Sequence, residues 1–424
     1  MELYIVLFLL VLFVVLGAQL FLVIGGLSLT LFYLYVDIPM FSVVKTMFDS
    51  VNKSALLAIP LYVFAGAIMA RGEIAKRLID LALAALGWLK GGLAVSSVMA
   101  CIFFAAISGS SPVTLIAIGS IMYPAFMQHK YPDNLAIGSL TVSGTLGILI
   151  PPSIPMIIFA IVTGADVNQL FLAGIIPGII TGILLMTLCV FFGFKYDLPT
   201  QAFEVSSFFR AFKRGIHALM MPILILGGIY SGIYTVTEAA AVACVYAIVV
   251  EMVFFKELKV KDIIDTLYDS VIILGIIFII IAMATIFNFF LTIQDVPFLL
   301  VDWMEQSVET QTGFLLMTIV VLLIVGVFMD VISAILIIAP LLLPAAMIYD
   351  VNLIHLGVIF ILALEIGYLT PPIGINLFVA TGLFNKPFSK VVMASLPFSI
   401  CLLIALLLIT FFPEIVLFLT DVGE

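Results

Sequence analysis

Two stretches of this chain repeat one another at a fixed offset of 220 residues. Adding 220 to Pro124, Pro151, Pro152 and Pro177 gives Pro344, Pro371, Pro372 and Pro397, and Gly147 becomes Gly367. A double proline breaks a helix, because proline lacks the backbone N–H and its ring strikes the carbonyl one turn earlier. Here the break occurs twice, in residues 108–180 and 328–400, each time inside an apolar segment. Paired Gly/Pro-interrupted hydrophobic segments are the sequence mark of a secondary transporter, in which half-helix ends and unwound backbone form a site near the bilayer midplane.

Composition supplies the solvent. With 65% hydrophobic and 10% charged residues, and a mean hydropathy of +1.38, the chain has too little polar surface to cover itself in water. Apolar runs close to the roughly 20 residues of a helical span recur from end to end, and the alternation of a β-barrel is absent, so the fold expected is an all-α polytopic membrane protein. The net charge of −9 then matters less than where the charges sit, and nothing suggests a nucleic-acid partner. Residues 1–22 lack the basic start and short apolar core of a cleaved signal peptide and read as a retained first helix. Cys101, Cys189, Cys244 and Cys401 stand singly in apolar runs without metal-ligand spacing, as small hydrophobes do.

Basic residues gather at 71–90, 129–130, 195–214, 256–261 and 386–390, which the positive-inside rule places in the cytoplasm. The segments at 295–309, around Asp350 and at 414–424 carry acids and no Lys or Arg, and belong on the other side. The expected organisation is a region of scaffold and interfacial helices at 1–90, with spans at 3–22, 27–35 and 55–70. A first transport repeat follows at 91–194, with a re-entrant hairpin at 91–127 and a broken helix at 134–165. Central scaffold and connecting helices occupy 195–312, where 195–214 should form a polar helix separate from a rising segment at 219–229. The second transport repeat at 313–424 carries a hairpin at 313–347, a broken helix at 356–384 and a C-terminal helix. One hairpin has cytoplasmic flanks and the other has outer flanks, so the repeats are inverted, with Ser110 and Asp330 expected to meet near midplane.

Hairpin tips and double prolines free carbonyls and helix N-termini, which cost several kcal/mol apiece in hydrocarbon unless protein, water or an ion satisfies them. Sodium is the natural partner, since hard cations take oxygen. The oxygens offered are Ser108, Ser110, Ser111, Thr145 and Ser153 in the first repeat, and Asp330, Ser333, Thr370 and Asn376 in the second. A lone membrane Ser or Thr more often bonds its own preceding turn, but clusters at breaks are better read as ligands. Asp330 stands as the sole charge between Gly313 and Pro344, and buried membrane carboxylates usually line a pathway; the bland account is satisfaction by the hairpin-tip backbone. Glu365, one turn before the second double proline, corresponds to Thr145 and ranks lower. Thr235 and Glu238 have capping-box spacing. No Lys or Arg occurs in 91–128, 134–165 or 313–385, so an acidic substrate held there would depend on bound sodium and on the positive half-helix ends after Pro152 and Pro372.

Five segments together carry a family resemblance over essentially the whole chain: FAAISGSSPVTLIAIGSIMYPA, GTLGILIPPSIPMIIFAIVTGADVNQLFLAGIIPG, TVTEAAAVACVYA, GVFMDVISAILIIAPLLLPAA and LEIGYLTPPIGINLFVATG. They resemble the large membrane subunit of tripartite ATP-independent periplasmic (TRAP) transporters, nearest to the sialic-acid branch. The resemblance implies a bacterial inner-membrane, sodium-coupled importer of organic acids, of elevator type, with a scaffold and a mobile region carrying both hairpins. It implies two partners, a small four-helix membrane subunit and a periplasmic substrate-binding protein; with no fused extension ahead of it, the small subunit is expected as a separate polypeptide. Carried over position by position, it places Na+ on Ser108, Gly109, Ser110, Thr145, Gly147 and Pro151, and on Gly326, Asp330, Ser333, Gly367, Thr370 and Gly374. Substrate is expected at Ser110, Ser111, Pro152, Ser153, Pro372 and Asn376.

Other classes remain to be weighed. No G-x-x-x-x-G-K-[ST] occurs, so ATP is not expected to be used by this chain. An intramembrane protease would need a second Asp facing Asp330 or a His facing Ser110, while His129, His217 and His355 fall in loops or near span ends. A channel could also use broken helices, though inverted hairpins favour alternating access. Among transporters the alternatives are a receptor-independent carboxylate or oxyanion exchanger and a proton-coupled symporter working through Asp330 or Glu365.

Overall fold

The structure, a computed structural model, describes residues 20–200, 202–372 and 374–420, so all but the last three residues of the helix expected at 3–22 lie outside the described part. All regular structure among the described residues is helical. In chain order, α1 (Leu20–Tyr35), α2 (Met40–Val51), α3 (Ala58–Arg71) and α4 (Ile74–Leu86) lead into the first repeat. That repeat is α5 (Gly92–Ser108), α6 (Ser111–Gln128), α7 (Asp133–Ser143), the single turn α8 (Leu146–Leu149), α9 (Ile154–Thr163) and α10 (Val167–Lys195). The middle is α11 (Val205–Tyr230), α12 (Val236–Val249), α13 (Val260–Ile293) and α14 (Val296–Ser307). The second repeat is α15 (Gln311–Phe328), α16 (Val331–Ile348), α17 (Leu353–Gly367), α18 (Ile375–Phe384), α19 (Phe388–Phe411) and the short α20 (Pro413–Leu417).

The repeat seen in the prolines is a repeat of elements. The ends at 108, 111, 128 and 133 become 328, 331, 348 and 353 on adding 220, each again a helix end. Both double prolines interrupt their helices, each with a cis Pro–Pro bond, and the first bends its segment by 41°. The repeats also exchange parts: α18 packs on the first hairpin's α6, and α9 packs on the second hairpin's α16. Among the described residues, eight helices are long and apolar enough to cross a membrane, or nine with the bent pair counted as one span.

Polar contacts join segments with matching charge patterns. Lys90 pairs with Asp197 at 2.7 Å, Arg71 with Asp262 at 3.5 Å, and Lys386 with Asp133 at 2.9 Å, the last joined by Lys390 and by the Tyr123 hydroxyl. All of these link the basic stretches. At the other end Gln311 donates to the Asp350 carbonyl and Tyr349 to the Val308 carbonyl, linking the acidic ones. The base of the first hairpin thus lies with the basic set and the base of the second with the acidic set. Because the four cysteines are buried, Gln128→Cys and Thr312→Cys, both at exposed positions, should react with a membrane-impermeant maleimide from opposite sides of the membrane; labelling of both from one side would contradict the inverted arrangement.

Several expected boundaries are corrected. No turn separates residue 22 from residue 27: α1 runs through Gly25 and Gly26, and Gly25 faces Met283, whose sulfur would lie 2.3 Å from an added Cβ, so this glycine admits a neighbour rather than ending the helix. The polar stretch at 195–214 and the riser at 219–229 are not separate: α11 is continuous across Pro222. The central region also holds the 34-residue α13, and α2 and α14 have no counterpart in the expected plan.

The capping box is present: Thr235 Oγ1 accepts from the Glu238 amide while Glu238 accepts from the Thr235 amide at 2.8 Å. A second cap comes from elsewhere in the chain. A π-helical turn at Val250–Phe254 carries Glu251, fully buried, whose carboxylate accepts from the amides of Glu73 and Ile74 at 3.0 Å each. It satisfies free donors at the start of α4, where the helix dipole favours negative charge, and fixes that helix to the end of α12.

Candidate transport site

Each hairpin tip docks on the break of its own repeat. In the first, Gly109 turns the chain with φ +60°, and its carbonyl accepts from the Ile154 amide at 3.4 Å beyond the double proline. A Cβ on Gly147 would lie 2.5 Å from both the Ser110 carbonyl oxygen and Thr114 Oγ1, so glycine is what lets the break approach the tip. In the second, the amide of Val331 donates to the Tyr368 hydroxyl at 3.0 Å. There a Cβ on Gly367 would meet the Gly326 backbone at 2.6 Å. Two corresponding glycines therefore do the same work in both repeats.

The tips gather oxygen. Ser108 Oγ lies 2.6 Å from Thr114 Oγ1, which also donates to the Ser110 carbonyl at 2.9 Å, forming a buried nest beside Gly147. Thr114 was not among the expected ligands, although it stands four residues after Ser110, on the same face of its helix. At the second tip Asp330 caps α16: its carboxylate accepts from the Ser333 amide at 3.0 Å and from the Ser333 hydroxyl. Asp330, half-buried, thus satisfies the start of α16 at the tip. Thr145 and Thr370 bond back to Val142 and Ile366, at 2.6 and 2.8 Å, and Ser153 caps α9 through the Met156 amide at 3.4 Å. Gly374 begins α18 with φ +55° and no side-chain cap.

The expected meeting of Ser110 with Asp330 has no hydrogen bond among the described residues. The repeats are joined one position away. Asn376, on α18, donates to Ser111 Oγ at 2.5 Å across the two repeats and to Glu365 Oε1 at 3.3 Å. All three residues are buried, and both Glu365 Oε2 and Asn376 Oδ1 lack a hydrogen-bond partner. An unsatisfied buried acceptor costs about 1–3 kcal/mol. This cluster promotes Glu365 from a low-ranked residue to a central one. Its placement one turn before the double proline was the available signal; the partner across the chain was not.

The two breaks differ in cover. Pro151, Pro152 and Ser153 are buried, and Gly66 of α3 backs the first tip at Ser108. Pro371 and Pro372 are exposed, as is Phe328 beside the second tip. The protease constellation is not formed among the described residues: the His355 ring bonds the Ile409 carbonyl, His129 is exposed, and no histidine is bonded to Ser110.

Residues 5–415 match the family described as the tripartite ATP-independent periplasmic transporter, DctM component. The C4-dicarboxylate TRAP transporter large permease protein DctM of Pseudomonas aeruginosa is 38% identical over 88% of this chain and 88% of its own length. The ectoine TRAP transporter large permease protein TeaC of Halomonas elongata is 33% identical over 90% of each chain. Among solved structures, the Alcanivorax borkumensis YdaH transporter superposes with a TM-score of 0.64 over 88% of each chain at 13% identity, a likeness of fold.

Proposed function

From the membership of this chain in the TRAP transporter large permease family, as a multi-pass inner-membrane protein, we propose that it carries a small organic acid into the cell in symport with sodium. Its partners in this reading are a small membrane subunit and a periplasmic binding protein that delivers the solute. The observation that carries it is the buried Ser111–Asn376–Glu365 cluster where the repeats cross, flanked by two tip-on-break nests of oxygen. Relatives are named for C4-dicarboxylates and for ectoine, so the substrate class is a small solute with carboxylate groups, and sialic acid is one member to test.

The donors fit a hard monovalent cation. Around the first tip they are hydroxyl and carbonyl oxygens of Ser108, Ser110 and Thr114; around the second they are those of Asp330, Ser333 and Thr370, with backbone of Gly326, Gly367 and Gly374 close by. Bound sodium supplies positive charge that these segments lack in side chains. The protein's own part is to hold oxygens at the tips, to aim the uncapped N-terminus of α18 at the substrate's negative end, and to keep Asn376 and Ser111 as its polar contacts. Exchange with water occurs on the side of the exposed second break, while helices outside the repeats act as the fixed wall of an elevator.

Proton coupling is the second reading, favoured by the unpartnered Glu365 oxygen in a buried site. The experiment for the main reading is reconstitution into liposomes with both partners and an imposed sodium gradient, screened with C4-dicarboxylates, ectoine and sialic acid. Accumulation should require the full assembly; equal uptake by this chain alone would contradict the tripartite assignment.

A further inference from the structure

Two basic stretches of the chain, 71–90 and 195–214, are folded against each other away from the transport site. Helices α4 and α11 pack side by side, and Arg77 donates to the Arg214 carbonyl at 2.9 Å. Between them lies a cavity of about 470 Å³ whose walls carry Lys76, Arg77, Arg210 and Arg214 against Glu73 and Asp80. Glu73 is already engaged, bonded to Lys76 at 3.0 Å and 3.9 Å from Arg77. Arg210 and Arg214 sit four residues apart on one face of α11, exposed, with no side-chain partner among the described residues. Like charges at that spacing repel, so the arrangement is short of an anion. Arg77, which also lines the cavity, stacks its guanidinium over the Phe255 ring at 3.6 Å, and its buried Nε has no hydrogen-bond acceptor.

The surroundings indicate which anion. A second cavity of about 440 Å³ adjoins the first through Ala84 and Ser207, and is lined by Trp88 and Phe203. Phe209 and Phe212 are exposed on α11 beside the arginines. Aromatic side chains at the end of a membrane helix mark the headgroup level, and basic pockets between helices on the cytoplasmic side hold anionic headgroups.

We propose that the α4–α11 groove binds the phosphodiester headgroup of an anionic phospholipid, with Arg210 and Arg214 on the phosphate, Arg77 behind it, and Trp88 and Phe203 against the glycerol and upper acyl chains. The groove is separate from the solute pathway, so it serves to seat the fixed helices at the membrane surface.

The test uses the full chain in a neutral detergent, with thermal melting followed as dioleoyl phosphatidylglycerol, dioleoyl phosphatidylcholine or inorganic phosphate is titrated in. Phosphatidylglycerol should stabilise the protein saturably, and the other two should not at equal concentration. Because each basic side chain near an anionic headgroup contributes a modest share, Arg210→Gln or Arg214→Gln should weaken the apparent affinity about fivefold, and the pair about thirtyfold. Both arginines are exposed and both substitutions keep the stem, so folding is retained. A double variant that responds as the wild type does would overturn the site. An equal response to phosphatidylcholine or to inorganic phosphate would overturn the lipid assignment.

Discussion

Uptake by the reconstituted assembly should fall roughly 5- to 150-fold when sodium is replaced by choline at fixed pH. The range is that of a coupling free energy between two ligands, and the reason to expect coupling lies in the sequence. No Lys or Arg occurs in 91–128, 134–165 or 313–385. A carboxylate entering a site built from those segments loses hydration, several kcal/mol, with no side-chain cation to offset it. On the sodium-symport reading, bound sodium and the N-terminus of α18 supply the positive charge, so each ligand should strengthen the other's binding. Ser108→Ala and Asp330→Ala should lower the apparent sodium affinity and the substrate affinity together. Undiminished transport in choline would sink obligatory sodium coupling and move the reading to protons. A Glu365→Gln variant that abolished uptake driven by a pH gradient alone would then identify the carrier of the proton.

The second large effect is steric. Gly147→Ala and Gly367→Ala should each cut uptake by tenfold or more, while Gly382→Ala leaves it unchanged. On a helix a change from glycine to alanine normally gains about 1 kcal/mol. At Gly382 an added methyl meets nothing within 4 Å, so that gain is kept. At Gly147 it lands 2.5 Å from the Ser110 carbonyl, and at Gly367 2.6 Å from the Gly326 backbone, neither of which can rotate away. Overpacking of this kind costs about 1–3 kcal/mol, and here the cost falls on the docking of tip to break. Transport rates measured beside melting temperatures separate the outcomes. Wild-type uptake in both variants would mean that tip and break need not touch.

What could be read from the sequence was local. A double proline, a glycine with corresponding neighbours 220 residues away and a Thr-x-x-Glu spacing each act over one or two turns, and the breaks, tips and capping box fall where those residues stand. Pro222 shows the limit: the same residue type lies inside a continuous α11, because one lost backbone bond is tolerated where packing holds both sides. The partners of Glu251 and Asn376 lie 177 and 265 positions away, and no periodicity encodes such pairings. Asp330 was legible as singular, but its capping role depends on the geometry of the turn it begins.

The exchange of half-helices between repeats bears on how the chain is made. While the first repeat leaves the ribosome, α6 and α9 have no α18 or α16 to pack on, since α18 begins at Ile375 and α16 at Val331, well over a hundred residues later in each case. At bacterial synthesis speeds of about 5–20 residues per second, the wait is roughly ten to fifty seconds. Throughout it a broken helix and a re-entrant loop must be kept from lipid that cannot satisfy their backbone. An early half of this protein is therefore a natural client of the membrane insertion machinery, and the Asn376–Ser111 junction between the repeats is among the last parts of the molecule to form.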